Sequence, residues 1–148
     1  SGQIKSWLET GFVVIADRYV SANQIHQGGK IADRKKRQTF LSWLDTMEYE
    51  VFKIPRPDLV IYLDVPFEVS HEWLQQKVAK RRKKYLEGRK DVAEDNLLHL
   101  KDSRLSALSL EKQNKNWVRI KCCQGIVCLL PEQVHEQVFA VVHRHLLC

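Results

Sequence analysis

The chain has 148 residues, of which 44% are hydrophobic and 28% charged, values that suit one globular domain with a sizeable core and exclude intrinsic disorder. Its net charge of +6 is local: Lys77 to Lys90 holds eight basic residues against Glu87, so that stretch carries +7 and the rest of the chain −1. A protein that coats nucleic acid spreads its basic residues over a face, whereas one cluster suits a compact anion, so no nucleic-acid partner is expected.

No apolar run approaches the length of a membrane span, so no membrane partner is expected. The start, Ser1-Gly2-Gln3-Ile4-Lys5, has neither the basic nor the apolar region of a secretory signal, which gives a cytoplasmic expectation.

Ile4, Trp7 and Leu8 have helical spacing, and Gly11 is placed to end that helix. Val13-Val14-Ile15-Ala16-Asp17-Arg18-Tyr19 follows, a continuous apolar run that empties into an acid and an arginine. The run predicts a strand buried on both faces, as in parallel sheets. Open α/β sheets bind ligands just beyond the carboxyl ends of such strands. Asp17 and Arg18 would stand there, the acid to hold a metal-bound water or accept a proton, the arginine to fork onto phosphate oxygens. A surface salt bridge between the two is the competing reading.

Ser21 to Lys30 is polar and predicts a short helix or turn ended by Gly28-Gly29. Phe40, Leu44, Met47 and Val51, with Trp43 beside them, mark one face of a long helix that Pro55 and Pro57 stop. Asp58 to Val65 predicts a second buried strand that again ends at an acid, Asp64. Pro66 then suits the first turn of a helix carrying Val69, Trp73, Leu74 and Val78. That helix runs into the basic segment. A further helix carries Leu97, Leu100, Leu105 and Leu108, Trp117 to Cys122 makes a third strand, and Val134, Val138, Val141 and Val142 place a last helix on the sheet. The order predicts a parallel α/β layout.

Cys122, Cys123, Cys128 and Cys148 crowd the C-terminal end without C-x-x-C spacing, so a zinc site is not expected. Cys122 and Cys128 read as small apolar strand residues in a reducing compartment.

Four segments resemble the thymidylate kinase family. Val14 to Val20 with Asn23 and His26-Gln27-Gly28 resembles its Asp-Arg motif and the Tyr/His-Gln element after it. Leu44 through Val65, with Pro55-Arg56-Pro57-Asp58, is similar to the stretch before the phosphate lid. Arg89-Lys90-Asp91-Val92-Ala93-Glu94 resembles the lid and the acidic motif that follows it, and Asn116 to Cys122 the last strand. Asn96 and Ala107 depart from the residues that relatives carry there.

The resemblance implies a P-loop NTPase-like, nucleoside-monophosphate kinase fold, a parallel sheet flanked by helices over residues 1–148, with a lid-like basic segment over 77–93. It implies ATP-dependent phosphorylation of dTMP to dTDP with Mg2+, and a homodimer. No G-x-x-x-x-G-K-[ST] stands in the 148 residues, so the sequence is read as lacking the first strand and P-loop; an inactive fragment that keeps only a nucleotide-monophosphate pocket is the alternative.

By the same resemblance Arg18 binds the dTMP phosphate while Asp17 orients it or a metal-bound water, and Glu94 acts near Mg2+ or substrate. Arg82 and Arg89 are the lid candidates for the transferring phosphoryl group. Gln27 would bond the base edge, because an amide both donates and accepts. Asn23 is a further substrate contact, with N-capping as the equal alternative. His71, His99 and His135 read as packing or surface residues.

Overall fold

A computed structural model describes residues 2–82 and 92–147. Helix α1, Gly2–Glu9, ends where Gly11 adopts φ +83. The Gly11 amide bonds to the Leu8 carbonyl and the Phe12 amide to that of Trp7, the paired bonds of a Schellman cap that need a left-handed residue at Gly11.

The predicted first strand is not formed: Phe12 to Arg18 pairs with no strand among the described residues, and Phe12, Val13 and Ile15 are 64%, 60% and 85% exposed. A strand exists only where a neighbour completes its ladder. Among the described residues β1, Val60–Asp64, and β2, Trp117–Lys121, pair only with each other.

Helix α2, Val20–Gly29, and helix α3, Arg34–Asp45, fall where the sequence predicts helix. Asp33 caps α3 by accepting from the Lys36 amide at 2.8 Å. The paired glycines serve a different purpose from helix termination. A Cβ on Gly29 would stand 3.1 Å from the Asp102 carbonyl oxygen and 3.2 Å from the Ser103 nitrogen, so glycine lets α2 lie against the backbone of α5, Val92–Gln113.

The buried face of α5 is consequently the small-residue row Ser103, Ser106 and Ala107 with Leu110, while Leu105, predicted inside, is 53% exposed. After α3 the chain continues as a π-helical turn, Thr46–Val51, which rotates the predicted apolar face: Leu44 is buried and Val51 is 58% exposed. Lys53, at φ +51, ends it.

Strands β1 and β2 are parallel, in the register Val60 opposite Trp117 to Asp64 opposite Lys121. The pairing continues one bond further at each end, from the Val60 amide to Asn116 and from the Cys122 amide to Asp64. Helix α4, Phe67–Arg82, packs on α5, and α5 covers both strands. Leu63 is 47% exposed, so β1 is not buried on both faces as predicted. The core is Val20, Leu44, Val69, Ala107, Leu110, Trp117, Ile120 and Cys122.

A hairpin of β3, Cys123–Gln124, and β4, Val127–Cys128, turns at Gly125 with φ +61 and leads to α6, Pro131–Leu147. Its register sets Cys123 directly opposite Cys128, and the two form a disulfide, which corrects the reading of Cys128 as a reduced apolar strand residue. Cys122 is buried and free, as read from sequence, and burial, with Asp64 nearby, pushes its thiol up. No described helix is long and apolar enough to cross a membrane.

Candidate functional site

The site forms where the apolar segment turns into α2. Arg18 stands at that corner with φ +69, in the left-handed region that side chains rarely adopt. What holds the corner is the next residue: the Tyr19 hydroxyl donates to the Pro55 carbonyl at 2.9 Å, and Val20 is buried. Burial and the Glu48 carboxylate push the Tyr19 phenol up, so it remains a donor through the neutral range.

Arg18, Tyr19, Ala22, Asn23, His26, Gln27 and His99 together line an open depression of about 520 Å3. Asn23 and Gln27 are four residues apart on α2 and therefore share its outward face. Neither Asp17 nor Arg18 makes an ion pair among the described residues, so the guanidinium is not engaged by the acid beside it. The competing salt-bridge reading is thereby set aside.

Helix α5 contributes His99 to the lining of the depression. His26 Nδ1 lies 3.2 Å from the Ser103 hydroxyl, and the His26 and His99 rings lie 5.5 Å apart, inclined at 34°. Burial, then the charges of His99, Arg18 and Lys30, hold the His26 imidazole below its ordinary value. His99, read as packing or surface from sequence, is a lining residue. The only signal for it was one polar side chain within Leu97-Leu98-His99-Leu100, which helical periodicity cannot assign to a site.

Asp64, at the end of β1, does not face this depression. It is 3% exposed and accepts from Arg104 Nε at 2.7 Å and Arg119 Nε at 2.9 Å, tying β1 to α5 and β2. Burial alone would raise the Asp64 carboxyl, but the hydrogen bonds and charges of Arg104 and Arg119 outweigh it and hold the group below its usual range. Arg56, which sequence did not single out, forks onto Asp45 with two 2.8 Å bonds, reaches Glu50 at 3.0 Å and covers the Tyr49 ring at 4.1 Å. It staples the π-helical turn to the loop whose Pro55 anchors Tyr19.

Arg82 ends α4 and Glu94 lies in the first turn of α5, but their side chains, and Arg89 altogether, fall outside the described residues. The structure therefore brings Arg18, Asn23 and Gln27 together, with Asp17 adjoining. No group of three or more metal-ligating side chains is found among the described residues. Gly28-Gly29 is occupied by helix packing and makes no phosphate cradle. Toward a Mg-bound nucleotide the described part of the site offers the single exposed carboxylate of Asp17. The arrangement can hold one phosphate on Arg18 and a polar ring edge on the amides of α2.

A family model described as thymidylate kinase matches residues 1–137. The chain is 27% identical over 143 residues to a thymidylate kinase of Thermosipho africanus, an alignment covering 97% of this chain and 61% of that one. It is 33% identical over 142 residues to a probable thymidylate kinase of Pyrococcus abyssi, covering 95% and 56%. The chain thus spans somewhat over half the length of these relatives. No solved structure matches it.

Proposed function

Because the chain belongs to the thymidylate kinase family, we propose that it provides the acceptor side of an ATP-dependent, Mg2+-requiring kinase that converts dTMP to dTDP. The observation that carries this reading is the depression in which the Arg18 guanidinium, without an ion pair among the described residues, adjoins the Asn23 and Gln27 amides. Phosphoryl transfer asks the protein to align two phosphates and offset developing charge, with little covalent chemistry of its own.

Arg18 fits the acceptor phosphate, because its fork meets two oxygens at once and leaves the third free to attack. Gln27 reads a carbonyl and an N–H on the base, and Asn23 supports the sugar or phosphate. Asp17, which makes no ion pair with Arg18 among the described residues, would hold a metal-bound water. MgATP is the donor that family membership supports; of its contacts this chain would contribute Glu94 near the metal and Arg82 or Arg89 on the transferring group, where lid arginines act on kcat more than on binding. A homodimer is part of the same proposal, to be tested by sedimentation equilibrium.

The direct test is ADP formation from MgATP with dTMP, dUMP, dCMP or dAMP as acceptor, measured on the protein that carries these residues. The reading expects dTMP to have the highest kcat/KM. Equal turnover with all four acceptors, or none with dTMP, would overturn it.

A further inference from the structure

We propose that His26 and His99 form one proton-dependent anion contact in the wall of the depression beside Arg18, so that affinity for a phosphate dianion rises when the pair takes up a proton. The proposal rests on reading this depression as a monophosphate site and adds His99, from α5, to it.

The geometry is specific. Both rings line the same cavity as Arg18, 5.5 Å apart between centroids. His26 Nδ1 is taken up by the buried hydroxyl of Ser103, and its Nε2 has no hydrogen-bond partner among the described residues. The helices that carry the rings are already in close approach, since Gly29 packs against the backbone of Asp102 and Ser103.

At this separation a charge on His99 opposes charging of His26. The charged groups that act on His26 are all basic, Arg18 before α2, Lys30 after it and His99 on α5, and no described carboxylate offsets them. The His26 imidazole is therefore biased toward its neutral form, which leaves the Arg18 guanidinium as the charged group beside it that faces the anion. A dianion placed among these groups supplies the missing opposite charge. It favours the protonated pair, and by linkage protonation favours the dianion to the same extent.

The test is an NMR titration of the His26 and His99 ring protons in the full-length protein at constant ionic strength, with chloride, sulfate or dTMP. Sulfate remains a dianion throughout, whereas the dTMP phosphate itself gains a proton near pH 6. Sulfate is expected to raise the apparent pKa of the pair by about half a unit or more, which is about threefold tighter sulfate binding to the protonated form than to the neutral one. The double variants His26→Gln/His99→Gln and His26→Phe/His99→Phe, the latter keeping the ring volumes, should each abolish most of that pH dependence. Ring titrations unmoved by sulfate, or a wild-type pH dependence in both variants, would overturn the proposal. dTMP binding at pH 8 without any sulfate effect would leave the monophosphate reading standing and remove the histidine contact. A sulfate effect without dTMP binding would do the reverse.

Discussion

Arg18 occupies a conformation that costs on the order of 1–3 kcal/mol in a side-chain-bearing residue, and the Tyr19 hydroxyl bound to Pro55 is the contact that holds it there. Tyr19→Phe is therefore expected to lower stability by about 1 kcal/mol, the net worth of one hydrogen bond, measured by urea unfolding. It should also weaken dTMP binding several-fold without touching a substrate atom. Arg18→Lys should recover only part of the function lost in Arg18→Ala, because an ammonium keeps the charge but not the two-pronged geometry; steady-state KM for dTMP is the measurement. At this scale Arg18 stood out in sequence as a charged residue closing an apolar run, and Asn23 and Gln27 through the family resemblance; the structure sets all three around one depression. His99 did not stand out. Its place in the site depends on how α5 crosses α2, and no local pattern encodes a crossing.

Between elements, two contacts decide the packing. Gly29→Ala sets a methyl against the backbone of α5, where nothing can swing aside, and should cost about 1–3 kcal/mol by overpacking. Gly28→Ala meets the end of the Leu41 side chain at 3.3 Å and should cost less. The order of the two midpoints in denaturant checks this. Asp64→Asn leaves Arg104 and Arg119 without their shared carboxylate and should cost on the order of 3 kcal/mol.

The pH dependence follows from the lowered Asp64 carboxyl. Its folded pKa lies below its unfolded one, so its contribution is complete above about pH 4 and is lost as pH falls through the folded value. Asp64→Asn should accordingly lose less stability than the wild type between pH 5 and pH 2. The helix segments were legible from periodicity and caps. The inward face of α5 was not, because serine and alanine carry little hydrophobic signal and are buried there only to meet the glycines of α2.

Across the whole molecule, helices, strands β1 and β2 and their parallel pairing agree with the α/β order read from sequence, while the Val13 to Ala16 run pairs with no strand among the described residues. An apolar run announces the capacity to be a strand, but pairing is a property of the neighbour. Backbone amides of Val13 to Ala16 in this 148-residue chain should exchange with solvent fast, whereas Ile61 and Ile120 in the ladder should be protected, by hydrogen-exchange NMR. The hairpin disulfide was illegible for the same kind of reason: register, not cysteine spacing, brings Cys123 opposite Cys128. Central to the proposed function is that Arg18 holds the phosphate of the acceptor nucleotide. Calorimetric titration of the full-length protein with dTMP and, separately, with MgATP tests this most directly on wild type and Arg18→Ala. Loss of a charge-assisted contact worth roughly 1.5–3 kcal/mol predicts a dTMP Kd raised by about 10- to 150-fold with MgATP affinity nearly unchanged. An unchanged dTMP Kd with weakened MgATP binding would contradict the account and move Arg18 to the donor side.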